Sequence, residues 1–597
     1  MPVINVGVDR LVARLGRAYA VADLVVHLED LGCDVDGVAE VATAICPRCR
    51  AAVESAAGDE PPKRCAYCGH EAATAFEVVA RRESIKLDLQ PSRPDLFDTI
   101  GLARALRGLL GLESGLPKYK VKAGTLAVLT DPGLVLPDAF RPHIACASLS
   151  IPPLSEEDLR DLMKLQESLH WAIGRDRKLA SIGVYDATTI AGPILYRAAL
   201  PDEVAFAPLG YPDRPMTLGE ILREHPKGKA YAWLLASHTR YPVLMDADGQ
   251  VLSMPPIING ESTRVRAGAT ELFVDVTGTT AIDVERALSV LVGSLAELGG
   301  TVRTVEVADT TGAVRTTPDL APRSIEVDRE RCNAWLGLEL SAKEFSARAK
   351  KMRLGVTGGP TVFTVSYGAY RSDVKHPVDL YEDIAIGHGL RNFSLALVPT
   401  ATVGRERPEE RLSERARRTM AGLGYDEVMT LYQTTEAGFF TKMRRPVGTD
   451  HVAIANPKAA DFTVVRNELV PGLLGLLEHN RKKPMPLRLF ETSNVVVLDA
   501  EAETGTAEWR RLALAVMGPD AGYAEVRAAL DALLFELGLT GTYAREEHPS
   551  YLPGRVAGVD LGEGRRARVG ELHPEVLLAW NLPAPVAVAE LDLARVI

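Results

Sequence analysis

The sequence predicts an α+β protein made of several domains. Its 597 residues exceed the roughly 250–300 residues at which a single hydrophobic core stops growing. Apolar residues recur every three or four positions in some stretches, as in helices, and form short β-like runs in others, without a tandem repeat. Hydrophobic residues make up 46% and charged residues 25% of the chain, which is a typical globular composition.

The composition excludes some classes of protein. No apolar run reaches the roughly 18 residues that a membrane helix requires. The first residues, MPVINVGVDRLVARLG, lack the basic and then apolar pattern of a secretion signal. We therefore expect a soluble, cytoplasmic protein that binds no membrane. The net charge of −11 is not that of a general nucleic-acid coat protein, so contact with RNA would require local basic patches.

Residues 1–115 are predicted to form an amino-terminal domain with a zinc-ribbon-like insert at about residues 45–70. The insert contains two Cys-x-x-Cys pairs, Cys46 with Cys49 and Cys65 with Cys68. Fifteen residues separate the pairs, which is the spacing of a zinc ribbon whose four thiolates hold one tetrahedral ion. Disulfides or chance cysteines are the alternatives, and a cytosolic compartment disfavours disulfides. We predict structural Zn²⁺ at these four cysteines.

A helix is predicted after the insert, in SRPDLFDTIGLARALRGLLG, and would begin at Pro94–Asp95. Its apolar residues recur at spacings of three and four, namely Leu96, Ile100, Ala103, Leu106 and Leu110.

Residues 116–321 are predicted to form a mixed α/β domain. They contain a basic helix, LRDLMKLQESLHWAIGRDRKLASIGVYD, and then the loop MPPIINGESTRV. A strand, ELFVDVTGTT, and a helix, AIDVERALSVLVGSLAELGG, follow.

Residues 322–393 are predicted to form a small helix-turn-helix-like domain of helix, turn, helix, strand and acidic helix. Ser341, three residues before Glu344, predicts a capping box at the start of the second helix. In YRSDVKHPVDLYEDIAIGHG, Asp379, Glu382 and Asp383 would share one helical face, and Asp373 could fold back toward them across a turn. The residues alone leave two interpretations open, a solvated helix face or a cation site. In residues 394–597, helices alternate with β-rich runs such as PLRLFETSNVVVL.

Four separate stretches, taken together, resemble one family. They are SRPDLFDTIGLARALRGLLG with LPKYKV, MPPIINGESTRV with FVDVTGT, the acidic stretch quoted above, and VVRNELVPGLLGLLEHNRKKPMPLRLFETSNVVV with GELHPEVLLAWNLPAPVAVAELDL. This chain resembles the beta subunit of phenylalanine–tRNA ligase, of the shorter type found in archaea and eukaryotes. The resemblance covers nearly the whole chain.

The resemblance implies a role for each domain. Residues 116–321 would be a tRNA-editing-type domain, and residues 322–393 a metal-binding domain in which Asp373, Asp379, Glu382 and Asp383 hold Mg²⁺. Mg²⁺ is a hard cation that prefers carboxylate and water oxygens. Residues 394–597 would be an antiparallel-sheet domain similar to class II aminoacyl-tRNA synthetases but without catalytic residues.

The resemblance also implies that aminoacylation takes place on a partner alpha subunit. The holoenzyme would contain two alpha and two beta subunits, use ATP and act on the tRNA for phenylalanine, with no role for DNA. In this chain, Val495, Val496 and Val497 stand where the family's chemistry would require an arginine that holds the α-phosphate. No Gly-x-Gly-x-x-Arg run occurs near the carboxyl terminus.

The second activity that the resemblance implies is editing, the hydrolysis of tyrosine wrongly attached to this tRNA. Asn259, Asp275 and Thr277 are the candidate pocket residues, with Asp275 as acceptor of the tyrosine hydroxyl or as a residue that positions water. They could instead merely close a turn. Two other functions remain open: a free-standing tRNA-binding or editing protein without an alpha partner, and a carboxylate-metal phosphoesterase.

Overall fold

The computed structural model describes residues 3–48, 52–56, 59–65, 70–398 and 400–596. The chain divides into two compact units, Met1–Ala396 and Leu397–Ile597. The predicted α+β architecture is confirmed, whereas the finer division into four domains stays a prediction. One hydrophobic core extends through the first unit from Ile4 to Ile386. Within the described ranges, no helix is long and apolar enough to cross a membrane.

The first unit begins with an antiparallel sheet. Its strands are β1 (Val3–Gly7), β2 (Asp34–Ile45), β3 (Ala52–Ala56) and β4 (Glu77–Asp88), in the order β1-β4-β2-β3. The helices of this part are α1 (Val8–Leu15), α2 (Val21–Asp30) and α3 (Thr99–Leu109). Leu11 and Leu28 from two of these helices and Ile85 from the sheet are fully buried, so that the apolar faces of helices and sheet form one core.

The helix predicted to begin at Pro94–Asp95 begins instead at Thr99. Pro94–Leu96 forms a separate 3-10 turn, and the Asp98 carboxylate caps α3 by accepting a hydrogen bond from Gly101 N at 2.7 Å. A Cβ on Gly101 would lie 1.9 Å from Asp95 O, so glycine is required for the turn to pack on the helix. The predicted start was wrong because the cap lies after the proline.

A large mixed sheet with the order β14-β13-β12-β9-β6-β16-β7-β15-β8 follows, and its central strand β16 also pairs with two short strands. The strands of this sheet are β5 (Lys120–Lys122), β6 (Ala127–Thr130), β7 (His143–Ser150), β8 (Ala180–Asp186), β9 (Ile194–Ala199), β12 (Tyr241–Met245), β13 (Val251–Met254), β14 (Ile258–Asn259), β15 (Glu271–Gly278), β16 (Thr301–Ala308) and β17 (Val314–Thr317). Two short strands, β10 (Ala205–Phe206) and β11 (Met216–Thr217), pair with each other in a separate sheet. The helices are α4 (Glu156–Trp171), α5 (Leu218–Glu224), α6 (Pro226–Tyr231) and α7 (Ala281–Ala296).

The basic helix predicted between residues 159 and 186 is shorter than expected. It ends at Trp171, and the last part of the predicted helix is strand β8. The chain reverses direction between them, where Arg175, Asp176 and Arg177 have positive φ angles. The helical prediction was wrong for ASIGVYD because these residues pair with β15 along their whole length, and sheet pairing overrides local helical preference.

The last part of the first unit contains the acidic helix. Its elements are β18 (Arg323–Asp328), α8 (Arg329–Leu336), α9 (Ala342–Lys351), β19 (Gly355–Gly358), β20 (Val362–Tyr367) and α10 (Pro377–His388). The strands form a sheet in the order β18-β20-β19. The sequence predicted only one strand here, in the order helix, turn, helix, strand and acidic helix, so the structure contains two more strands than expected. The Ser341 hydroxyl accepts a hydrogen bond from Glu344 N, which confirms the capping box at the start of α9.

The second unit is built around a seven-stranded sheet in the order β21-β25-β26-β30-β29-β28-β27. Its strands pair antiparallel except for the outer strand β21. The strands of this unit are β21 (Asp426–Glu427), β22 (Gln433–Thr434), β23 (Val452–Ala453), β24 (Val464–Val465), β25 (Leu487–Leu498), β26 (Thr506–Met517), β27 (Thr542–Arg545), β28 (Tyr551–Asp560), β29 (Arg566–Leu572) and β30 (Val586–Val596). The helices are α11 (Pro408–Gly422), α12 (Val470–His479), α13 (Tyr523–Leu537) and α14 (Pro574–Ala579).

Both faces of this sheet are buried. Residues of α11 and α13 join one apolar cluster with the sheet, and residues of α12 and α14 join a second. The antiparallel sheet agrees with the architecture predicted for residues 394–597, while its likeness to class II synthetases stays a prediction.

Candidate functional site

A cavity of about 680 Å³ lies in the first unit, in the region predicted to be an editing-type domain. Residues of α4, β8, β15 and the segment 253–267 form much of its wall. Sites for small molecules typically measure roughly 300–1,000 Å³ and combine apolar walls with a few placed polar groups. The apolar part of this wall includes Pro255, Pro256 and Ile257. Its polar groups include Asp275, Tyr185 and Asn259.

Asp275 lies in the middle of β15, and only 1% of it is exposed. The Tyr185 hydroxyl, on the neighbouring strand β8, donates a hydrogen bond to Asp275 Oδ1 at 2.5 Å. The same hydroxyl lies 2.8 Å from Ser253 Oγ. The three side chains therefore form a buried polar chain that ends at the cavity wall.

Burial raises the pKa of Asp275 to about 7, although the hydrogen bond from Tyr185 and the positive charge of Arg141 oppose the increase. Near neutral pH, both protonation states of this carboxyl are therefore populated. Burial, together with the neighbouring Asp275 carboxylate, raises the pKa of Tyr185 well above its usual value, so that its hydroxyl stays protonated and keeps donating. A carboxyl with so large a shift in a cleft is typical of a functional site.

The absence of a side chain at Gly183 leaves space between β8 and β15 for the hydrogen bond between Tyr185 and Asp275. Gly183 lies directly opposite Asp275 in the pairing of β8 with β15. A Cβ at this position would lie 2.0 Å from the Tyr185 hydroxyl oxygen and 2.2 Å from Asp275 Oδ1. Because ASIGVYD was predicted as the end of a helix, the sequence analysis missed Tyr185. The signal that could have indicated a strand is the alternation of apolar residues in ASIGVYD, where Ala180, Ile182 and Val184 occupy every second position.

The other two predicted pocket residues lie in different positions. Asn259 lines the cavity, and its side-chain amide donates a hydrogen bond to Val184 O at 3.3 Å. Thr277 is fully buried, and its hydroxyl accepts a hydrogen bond from Arg141 Nε at 3.1 Å and lies 3.1 Å from Ser181 Oγ. In the structure, Thr277 thus belongs to the packing beside the cavity, whereas Asp275 and Asn259 belong to its wall.

The cavity also contains a charged group that the sequence analysis did not identify. Arg177 donates hydrogen bonds to Pro256 O, Ile257 O and Glu167 Oε1, which fixes the apolar loop against α4. Burial opposes ionisation of Glu167, but a hydrogen bond with His170 and the charge of Arg177 outweigh it and place the pKa of Glu167 well below its usual value. Glu167 therefore stays ionised and keeps this wall in position.

The four carboxylates predicted to bind Mg²⁺ do not converge on one point. Arg371 donates to both oxygens of Asp373, at 2.9 Å and 2.7 Å, and to Asp383 Oδ2 at 2.8 Å. Asp379 Oδ2 accepts hydrogen bonds from Lys375 N and His376 N at the start of α10, and Glu382 is exposed.

As arranged, these residues do not fit a magnesium ion. Among the residues that the structure describes, no group of three or more histidine, cysteine, aspartate or glutamate side chains is suited to hold a metal. An ion at Asp373 and Asp383 would have to displace the guanidinium of Arg371. Magnesium at these four positions therefore stays a prediction.

Of the four cysteines predicted to bind zinc, the structure describes two, Cys46 and Cys65. Cys46 follows β2 directly, and Cys46 and Cys65 are both fully buried in one small cluster with Ala44 and Phe76. Cys49 and Cys68 lie outside the residues that the structure describes. The zinc site stays a prediction.

Two arginines of the second unit, Arg511 on β26 and Arg466 just after β24, are held by carboxylates on the seven-stranded sheet. Arg466 and Glu491 are both almost fully buried and lie 2.8 Å apart, and Arg511 contacts Glu590 and Asp592. Val495, where the family's chemistry would require a charged residue, is fully buried in an apolar cluster. Both guanidiniums are thus engaged in ion pairs with carboxylates of the sheet.

The chain was compared with known proteins. Residues 325–390 match the family model described as the tRNA synthetase B5 domain, and residues 396–593 match the model described as the phenylalanyl tRNA synthetase beta chain CLM domain. The chain is similar to the phenylalanine–tRNA ligase beta subunit of Archaeoglobus fulgidus, with 38% identity over 86% of this chain and 92% of that protein. Identity with the corresponding subunit of Methanothrix thermoacetophila is 37%, over 85% of this chain and 92% of that protein.

A solved structure is also similar. It is an N-terminal fragment of the phenylalanyl-tRNA synthetase beta-subunit from Pyrococcus horikoshii, with 33% sequence identity and a TM-score of 0.56. The similarity covers 65% of this chain and 99% of that fragment.

Proposed function

Because the chain belongs to the phenylalanine–tRNA ligase beta-subunit family, we propose that it supports a catalytic alpha subunit and itself hydrolyses mischarged tyrosyl-tRNA. Membership makes the chain a subunit of an aminoacyl-tRNA synthetase, which is a ligase. The proposed assembly contains two alpha and two beta subunits, acts in the cytoplasm on the tRNA for phenylalanine, and consumes ATP at the alpha subunit. Zn²⁺ held by the four insert cysteines belongs to the same proposal.

Exposed apolar side chains of the second unit support a protein partner. Met429 and Leu431, two positions apart in one segment, are 88% and 69% exposed. Large apolar side chains exposed to this degree are typical of interaction surfaces when they occur in groups. An alpha subunit that covers part of this unit would remove them from water.

We expect the isolated chain to form no phenylalanyl-adenylate. Val495 and its neighbours on β25 cannot clamp the phosphates of ATP, and Arg466 and Arg511 are already engaged with carboxylates. ATP–pyrophosphate exchange measured with the chain alone should stay at background, and addition of the alpha subunit from the same genome should restore exchange and phenylalanine charging. Exchange by the chain alone would contradict the proposal, and so would failure of the mixture to charge tRNA.

The pairing of Asp275 with Tyr185 at the wall of the cavity is the observation on which the editing proposal depends. Tyrosine differs from phenylalanine by one hydroxyl, and a hydrophobic synthetic pocket rejects an added hydroxyl by only about 10²-fold. A second site that recognises the hydroxyl itself improves this discrimination. Ionised Asp275 is an acceptor for that hydroxyl, and phenylalanine has nothing to donate to it.

Each polar residue then has a separate task. Tyr185 holds Asp275 Oδ1, which leaves Oδ2 for the phenol of the substrate. Asn259 is held through its amide nitrogen by Val184 O, so its Oδ1 is the acceptor that we assign to the attacking water. Water attacks the ester carbonyl, the ester bond to the ribose breaks, and tyrosine and free tRNA are the products.

The pH dependence of hydrolysis tests the role of Asp275. Since the ionised form accepts the hydroxyl, hydrolysis of tyrosyl-tRNA should increase with pH, with a midpoint near the Asp275 pKa of about 7. Tyr185→Phe removes a hydrogen bond that lowers this pKa, so the midpoint should move to higher pH in a deacylation assay. Ser181→Ala serves as the control and should keep the wild-type midpoint, because Ser181 lies in the cavity wall but makes its hydrogen bonds with Arg141 and Thr277 rather than with Asp275. A midpoint that stays fixed or decreases in Tyr185→Phe would contradict this role.

A further inference from the structure

The cysteine-bearing insert reaches the same cavity. Ile45 at the end of β2 and Val53 and Glu54 on β3 all belong to the cavity wall. In the pairing of β2 with β3, Thr43 lies opposite Glu54. Because side chains alternate along a strand, Ile45 and Glu54 share one face of this hairpin. Ile45 is only half-buried, so part of its apolar surface stays open.

Two contacts fix the insert to elements that border the cavity. Glu54 Oε1 lies 2.5 Å from Lys164 Nζ on α4, and the two side chains are 23% and 33% exposed. The guanidinium carbon of Arg48 lies 4.3 Å from the ring centroid of Tyr211, in a cation–π contact. Tyr211 directly follows Leu209 and Gly210, which line the cavity. The insert is therefore held beside the cavity by two contacts, one with α4 and one with the segment that contains Tyr211.

The size of the cavity and the chemistry of the substrate indicate what this wall contacts. A volume of about 680 Å³ suits a drug-sized ligand, which is larger than a tyrosyl group alone. The ester to be hydrolysed joins the amino acid to the ribose of the terminal nucleoside, so a cavity that binds one must lie next to the other. Asp275 is almost fully buried and suits the aminoacyl side chain, whereas half-buried Ile45 offers an open apolar surface.

We propose that the described part of the insert, Ile45 with Val53 and Glu54, forms the wall of the hydrolytic cavity that receives the 3′-terminal nucleoside of the tRNA, with Ile45 in contact with the base. This inference rests on the editing function proposed above and assigns to the insert a substrate-binding role. Glu54, through its ion pair with Lys164, is a positioning residue that holds the hairpin against α4. Bases stack favourably on aromatic side chains, and we expect a smaller contribution from an aliphatic side chain such as that of Ile45.

The test uses the full chain and two stable ligands, tyrosine amide and a tyrosyl-adenosine conjugate in which an amide replaces the ester. The wild-type protein should bind the conjugate more tightly than tyrosine amide. Ile45→Ser should weaken binding of the conjugate by about tenfold and leave binding of tyrosine amide unchanged. Glu54→Gln should act in the same direction with a smaller effect. Val38→Ser, on the exposed part of β2 and outside the cavity wall, is the matched control and should change neither affinity.

The outcomes separate this inference from the proposed function. If Ile45→Ser and Glu54→Gln both bind the conjugate as tightly as the wild type does, the insert is no substrate-binding wall, whatever the cavity hydrolyses. If Asp275→Asn binds both ligands like the wild type, the editing proposal itself fails, and this inference fails with it. A loss of conjugate binding that also occurs in Val38→Ser would overturn the assignment to Ile45.

Discussion

Asp275→Asn should reduce kcat/KM for hydrolysis of tyrosyl-tRNA by about 100-fold, while charging with phenylalanine by the assembled enzyme stays unchanged. Asparagine has nearly the same shape and can still accept a hydrogen bond from Tyr185, so the fold should be preserved. It removes the negative charge that accepts the substrate hydroxyl, and hydrogen bonds to charged groups contribute about 1.5–3 kcal/mol. A difference of this size corresponds to roughly 10–150-fold in rate.

The control for this experiment is a second buried polar residue of the same strand. Thr277→Val removes a hydroxyl from β15 two positions away but leaves the cavity wall intact. It should affect stability more than hydrolysis. Full hydrolytic activity in Asp275→Asn would contradict the assignment, and so would a loss of hydrolysis in Thr277→Val as large as that in Asp275→Asn at equal folded fraction.

The same substitution should also change the pH dependence of stability. The pKa of Asp275 is raised in the folded state, so its protonated form is favoured there and its contribution to stability is lost as the pH increases through about 7. Asp275→Asn cannot ionise. The difference in melting temperature between Asp275→Asn and the wild type should therefore change in favour of Asp275→Asn between about pH 4 and pH 7, and stay level at higher pH.

Arg371→Met should lower the free energy of unfolding of the first unit by about 3–5 kcal/mol, since removing one partner of a buried ion pair leaves an uncompensated charge. Asp383 is 2% exposed, and burial raises its pKa while the charges of Arg371 and Arg93 oppose the increase. Without Arg371, Asp383 loses its hydrogen-bonded counter-ion and must either stay charged while buried or take up a proton. Urea denaturation at pH 7, followed by a probe in the first unit, measures the loss.

An exposed arginine of the same unit is the matched control. Arg391 pairs with Glu29 and Asp30 at the surface, with 60% of its side chain exposed, and Arg391→Met should cost at most about 1 kcal/mol. In Arg371→Met, the further change Asp383→Asn should recover much of the stability. Equal, small losses in both arginine variants would show that the buried cluster contributes little.

This cluster also offers a test of magnesium. Because Arg371 already pairs with Asp373 and Asp383, and an ion there would have to displace it, we expect addition of Mg²⁺ or of EDTA to leave the melting temperature of the wild-type protein unchanged. An increase in melting temperature with Mg²⁺ that is lost in Glu382→Gln with Asp383→Asn would instead support the metal site that the family resemblance implies.

The sequence predicted α7, β15 and the capping box of α9 because their signals are local. Helical periodicity, strand composition and a serine three residues before a glutamate all lie within a few residues of one another. The family resemblance added Asp275 and Asn259 to the candidate site, and both line the cavity. Thr277 shares their stretch of sequence, but its partner Arg141 is distant in the chain, and no local pattern reveals that contact.

The remaining features depend on contacts between distant segments. Tyr185 reaches Asp275 across 90 positions of sequence, and the sheet pairing that brings them together also converted the expected helix into β8. The pairing of Arg371 with Asp383 likewise could not be read from the spacing of acidic residues, which indicates a shared face but not which cation neutralises it. The insert shows the same limit, since its cysteines were visible in the sequence but its position on α4 was not.

The continuous core of the first unit has a consequence for how such a chain can be rearranged in evolution. Apolar residues from Ile4 to Ile386 pack into one cluster, so residues 322–393 share their packing with segments several hundred positions earlier. Recombination that exchanged this part alone would expose apolar surface on both sides of the cut. The division between Ala396 and Leu397 separates two bodies that each have their own core. We therefore expect exchange, duplication or loss of whole units to be tolerated most readily there, and the segments that share the core from Ile4 to Ile386 to be inherited together.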